Sequence, residues 1–106
     1  MLEITVIMNS SIEEVLSFKC CNLHDQNLEI HLKNCGREVM TVPNTFELVN
    51  EEEGVQIDHL FPPGEYRLDP GEAQACYCYL DEDIFKKYKW IVFRDTRGNK
   101  YQALLS

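Results

Sequence analysis

The side chains with the richest chemistry in this sequence are five cysteines and three histidines. Cys20, Cys21 and His24 lie close together, His31 and Cys35 follow, and Cys76 and Cys78 stand apart in the second half. Thiolate and imidazole are the ligands that zinc prefers. Structural zinc sites, however, draw cysteine pairs from tight turns at a spacing of two to four residues, whereas Cys20 and Cys21 are adjacent. On a strand, adjacent residues point to opposite faces, so only one of that pair easily joins a given site. Cys76 and Cys78 do share a face, but their partners would have to come from another strand. Free cysteine is among the most buried residue types, so buried, inert thiols are the expected use. A metal or redox site on Cys20, His24, Cys76 and Cys78 is the alternative, and no metal or other cofactor is favoured. A disulfide from Cys20 or Cys21 to Cys76 or Cys78 would suit a sandwich in an oxidising compartment. The odd count leaves at least one thiol free in a monomer.

Catalytic patterns are missing. The sequence holds no Gly-x-Ser-x-Gly elbow, no His-Glu-x-x-His and no Gly-x-x-x-x-Gly-Lys loop. Asp58 and His59 are neighbours whose side chains diverge on a strand. His31 alternates with buried positions and should face solvent. His59 shares the parity of Val55, Ile57 and Phe61, which predicts a hydrogen-bonded histidine in the core or at its rim. The carboxylates Asp81-Glu82-Asp83 stand at a helix start, where they complement the helix dipole. A non-enzyme is the expectation.

The aromatics carry more interaction signal. Tyr77 and Tyr79 share one face of their strand with Ala73 and Ala75, and Cys76, Cys78 and Leu80 take the other. Both faces are fairly apolar, so the strand is either central or presents a contact patch. Tyr88, Trp90 and Tyr101 lie near a basic run that includes Arg94 and Arg97, and aromatic residues with arginine are enriched at protein interfaces. Tyr77, Tyr79, Tyr88, Trp90, Arg94, Arg97 and Tyr101 are therefore the protein-binding candidates.

The elements that must position these residues show mostly period-two patterning. Leu2, Ile4 and Val6 alternate with polar residues, as do Leu28, Ile30 and Leu32. Further strands are expected at Val39–Val42, Phe46–Val49, Val55–Phe61, Tyr66–Leu68, Ala73–Leu80, Trp90–Arg94 and Lys100–Leu105. Turns fall at Asn34–Arg37, Pro62–Gly64, Asp69–Glu72 and around Gly98. Asp81–Tyr88, with acids first and lysines last, predicts one or two helical turns. Ser10 and Glu13 resemble a capping box, but Leu16, Phe18 and Cys20 alternate, and a strand is preferred there. The sum is an all-β chain of about seven to nine short strands, with residues 1–106 as one antiparallel sandwich domain.

The chain has a formal net charge of −8, which opposes binding to nucleic acid or anionic lipid. The charge is uneven. Acids dominate residues 1–53, whereas Lys86, Lys87, Lys89, Arg94, Arg97 and Lys100 face Asp95 alone in the last third. Such asymmetry marks either a partner surface or simply one basic edge of the domain. No run approaches the roughly 20 apolar residues of a membrane span, and the amino terminus alternates like a strand, so a reduced, cytoplasmic setting is expected.

Three stretches carry a resemblance: Leu28-Glu29-Ile30-His31-Leu32-Lys33-Asn34-Cys35-Gly36, Leu68-Asp69-Pro70-Gly71-Glu72, and Val92-Phe93-Arg94-Asp95 with Gly98-Asn99-Lys100-Tyr101. In this order they resemble the immunoglobulin-like sandwich domains common in bacterial proteins. The likeness spans residues 28–105 and implies an immunoglobulin-like fold without implying a function. The Cys…Trp…Cys order of antibody domains is absent, with Trp90 late in the chain. The leading expectation is thus a non-enzymatic interaction or accessory module that binds a protein partner or pairs as a homodimer. A metal- or thiol-dependent protein is one alternative. A small enzyme inhibitor, using an exposed loop such as Asn50–Gly54 or Pro62–Glu65, is the other.

Overall fold

The computed structural model describes residues 1–8 and 27–105. The expectations for Ser10–Cys20 and for Cys20, Cys21 and His24 lie outside the described residues. The chain runs β1 (Leu2–Met8), β2 (Leu28–Asn34), β3 (Met40–Val42), β4 (Phe46–Val49), β5 (Gly54–Ile57), β6 (Tyr66–Leu68), β7 (Ala73–Cys78), α1 (Glu82–Lys87), β8 (Trp90–Arg94) and β9 (Lys100–Leu104). Among the described residues it is mostly antiparallel β with one short helix.

The strands form three ladders, β1-β2-β7, β3-β6 and β5-β4-β8-β9. β2 shows why: Leu28, Ile30 and Leu32 are buried while Glu29, His31 and Lys33 take the outer face. Burying each such aliphatic side chain contributes about 1.5–3 kcal/mol. All three ladders feed one hydrophobic cluster, with Ile30 and Cys76 from the first, Val42 and Leu68 from the second, and Leu48 and Ile91 from the third. Phe46 and Phe93 meet across β4 and β8 with ring centroids 5.5 Å apart. Asn27 extends the first ladder by one step, because its amide donates to the Leu80 carbonyl and accepts from the Leu80 amide, both at 2.7 Å.

Two local expectations change. β5 stops at Ile57, after which Leu60 is buried and Phe61 is 52% exposed, the reverse of the alternating pattern. The reason is a change of sheet: the chain leaves β4 and pairs Phe61 with Tyr77 of β7 instead. His59 is consequently exposed, with Nε2 donating to the Tyr79 carbonyl at 3.1 Å. β7 is an edge strand and β2 the central one. The outer edge of β7 is covered piecemeal. Phe61 takes both backbone groups of Tyr77, at 2.8 and 2.7 Å, and the Gln74 side chain caps the Ala75 carbonyl at 2.7 Å.

The charge asymmetry resolves inside the molecule. Lys86 pairs with Glu82, Lys87 with Glu53, Lys89 with Glu51, Arg94 with Glu47 and Arg97 with Glu38. The antiparallel pairing of β4 with β8 is what lays the acidic segment against the basic one. These pairs are exposed and contribute little stability singly. Their effect is to give Lys86, Lys87, Lys89, Arg94 and Arg97 each an acidic neighbour, while Lys100 is exposed and in none of these pairs. Among the described residues, no helix is long and apolar enough to cross a membrane.

Candidate functional site

Two polar side chains are buried among the described residues, Asn34 and Asp95. Each organises one loop at the same end of the molecule. Asn34 closes β2 with its side chain fully buried. Its amide nitrogen donates to the carbonyls of Glu38 at 2.8 Å and Leu68 at 2.9 Å, and its oxygen accepts from the Gly36 amide at 2.9 Å. Its backbone donates to Glu72 and accepts from Gly71, so the 69–72 turn docks on the same residue. The short Asn-x-Gly segment thus turns on a side chain that mimics a backbone hydrogen bond.

Asp95 does the same for the β8–β9 hairpin. One carboxylate oxygen accepts from the Arg97 and Asn99 amides, both at 2.9 Å. The other accepts from the Asn99 side chain at 3.0 Å and the Tyr101 hydroxyl at 2.9 Å. Burial alone would raise the pKa of this carboxyl, but the donors from Asn99, Tyr101 and Arg97 outweigh it and hold the group below the ordinary range. Gly98 sits at φ +90°, in the left-handed region that closes the hairpin without steric penalty.

Between the two loops lies a cleft of about 480 Å³, walled by residues 36–41 and 95–101 and bounded by Met1. Its volume is in the range of ligand-binding clefts. The walls are tied at the base by the Thr96 amide donating to the Thr41 carbonyl at 3.0 Å. At the rim, Arg97 Nη1 reaches Glu38 Oε2 at 2.9 Å. Arg37, on the same rim, is exposed and pairs with no carboxylate among the described residues. The cleft offers charged and amide groups on its walls and the half-exposed Val39 beside them.

The structure scatters the residues singled out from the sequence. Arg97 and Tyr101 line the cleft. Trp90 and Arg94 lie on β8 away from it, with Arg94 held by Glu47 at 3.2 Å. Tyr77 and Tyr79 belong to the β7 side, where Tyr79 is 55% exposed. Tyr88 is buried in the core cluster. Arg37, Glu38, Thr41 and Asp95 escaped the sequence reading as site residues. The Asn-x-Gly and Asp…Gly-Asn turns were visible, but not that the two turns meet.

Cys76 and Cys78 are both buried, and burial pushes each thiol up to about 12. The Cys76 thiol donates to the Ile30 carbonyl at 3.4 Å. The Tyr66 hydroxyl, also raised by burial and by the neighbouring Cys76, donates to the Pro62 carbonyl at 2.8 Å. A thiol that far above neutrality carries almost no thiolate and is a poor nucleophile. Among the described residues, no three His, Cys, Asp or Glu side chains converge as a metal ion would require. Iodoacetamide at pH 8 is expected to alkylate the exposed Cys35 in the native protein and to reach Cys76 and Cys78 only after denaturation. Peptide mapping by mass spectrometry reads each cysteine separately. Equal labelling of Cys35 and Cys76 in the native state would contradict the buried placement.

No protein-family model matches the chain, and comparison with curated proteins finds no match.

Proposed function

We propose that this chain is an immunoglobulin-like sandwich acting as a non-enzymatic interaction module, which engages a polypeptide partner through the cleft between residues 36–41 and 95–101. The strand orders support the architectural part. β1–β2, β4–β5 and β8–β9 pair as sequence neighbours, while the chain crosses to a different sheet at each of its other connections, so that β1, β2 and β7 group apart from β5, β4, β8 and β9, as in a Greek-key sandwich. The functional part rests on one observation: the two buried polar side chains brace the two walls of the same cleft. Loops on a rigid scaffold commonly carry binding, and walls held in place in advance reduce the ordering cost of association. A cytoplasmic setting is part of this reading, in keeping with the unpaired Cys35, Cys76 and Cys78.

The test is a selection of random displayed peptides on the immobilised full chain, followed by NMR titration of the enriched sequences. Shifts confined to resonances of residues 36–41 and 95–101 are expected. Enriched peptides that perturb only β5 or β7, or a selection that enriches nothing, would overturn the reading.

A further inference from the structure

Every basic side chain from Lys86 to Arg97 has a glutamate of its own. Arg37 has none among the described residues; Lys33, Arg67 and Lys100 also lack one, but of these four Arg37 alone lines the cleft. Arg37 and Arg97 both line one cleft. The partner of Arg97, Glu38, is 76% exposed at its side chain and Arg97 itself 67% exposed. A pair so open to water holds its two members weakly, and exchanging one carboxylate for another costs little.

Glu38 also shows what the rim accepts. Its Oε2 lies 2.9 Å from Arg97 Nη1, a charge-assisted hydrogen bond to a carboxylate. The other carboxylate of the cleft, Asp95, has its oxygens engaged by four internal donors and is turned into its own hairpin. Val39, 39% exposed, lines the same cleft as an apolar group.

Resting on the interaction-module reading, we propose that the cleft recognises an acidic peptide segment, whose Asp or Glu carboxylate bridges Arg37 and displaces Glu38 from Arg97 while a neighbouring aliphatic side chain lies on Val39. Arginine suits this role because its planar fork matches the two oxygens of a carboxylate. The overall charge disfavours a nucleic acid, whose many phosphates would meet the acidic remainder of the surface, while one or two carboxylates pay little of that repulsion.

The experiment compares peptides selected on the native chain with those selected on Arg37→Gln/Arg97→Gln. Asp or Glu enriched at one or two fixed positions beside an aliphatic residue is expected on the native chain, and that enrichment should vanish on the variant. For a single enriched peptide, each arginine substitution is expected to weaken binding about tenfold, and amidation of the acidic side chain likewise. Both substitutions are at exposed side chains, and an unchanged melting temperature verifies the fold. Peptides without acidic enrichment, or equal affinity for the variant, would overturn this inference while leaving the cleft reading intact. A selection that enriches nothing removes both.

Discussion

Asn34→Leu is expected to destabilise the protein by about 4 kcal/mol, since it strands the buried Leu68 carbonyl and unpairs the part-buried Glu38 carbonyl and Gly36 amide at once. The side chain is fully buried and serves the carbonyls of Glu38 and Leu68 and the amide of Gly36. An orphaned buried donor or acceptor loses its full solvation with nothing in return, at a cost of about 1–3 kcal/mol each. Leucine fills similar space, so the loss does not come from a cavity. Urea denaturation of the two proteins reads the difference as a shift in midpoint at constant slope. Asn34→Asp sharpens the test. It keeps the shape but turns the amide donor towards two carbonyls into a second acceptor, so its carboxyl must be protonated to fit. The folded-state pKa is thereby raised above the unfolded one, and linkage makes this variant gain stability as pH falls. An Asn34→Asp protein that loses stability between pH 7 and pH 5 would contradict the hydrogen-bond assignment.

Asp95→Ala is the second large effect, expected at about 3 kcal/mol, because it leaves the Arg97 and Asn99 amides and the Tyr101 hydroxyl without their acceptor. Its pH dependence has the opposite sign. The carboxyl of Asp95 lies below the ordinary range when folded, despite burial, because of the donors around it. Its contribution is therefore fully present above the unfolded value of about 3.9 and fades as pH drops through the lower folded value. Urea curves at pH 7 and at pH 3 should show the native protein losing more stability on acidification than Asp95→Ala does. Equal losses would mean that other carboxylates carry the acid sensitivity. Because Asn34 and Asp95 each hold one wall of the cleft, both variants should also lose peptide binding at concentrations of urea that leave the core folded.

Much of the fold could be read residue by residue. β4, β6 and β8 begin and end where alternation predicts. α1 occupies the acid-to-lysine stretch, with Asp81 capping it through the Asp83 amide at 3.0 Å. Where the reading slipped, a distant partner had intervened. Val55–Phe61 looked like one strand until Phe61 turned to Tyr77, a residue sixteen places later whose pairing no local pattern announces. The basic run left two readings open, a partner surface or one basic edge, because the glutamates that pair with most of it sit up to about sixty residues earlier in the chain. Tyr88, a binding candidate by its place beside lysines, is the residue that ends α1 and turns into the core. The cleft was invisible for the same reason. Its turns were marked by Asn34 and Gly98, but their convergence depends on β3 meeting the β8–β9 hairpin through Thr41 and Thr96.

The stoppered flank of β7 bears on how this protein behaves in a crowd. An aromatic backbone, an imidazole and a glutamine carboxamide occupy the sites at which another molecule's strand would dock. Runaway stacking into fibrils needs an unobstructed template of that kind, and on this side of the molecule none is on offer. Cutting the chain between Asp58 and Phe61 would unplug it, and turbidity on storage would then rise even while the core endured.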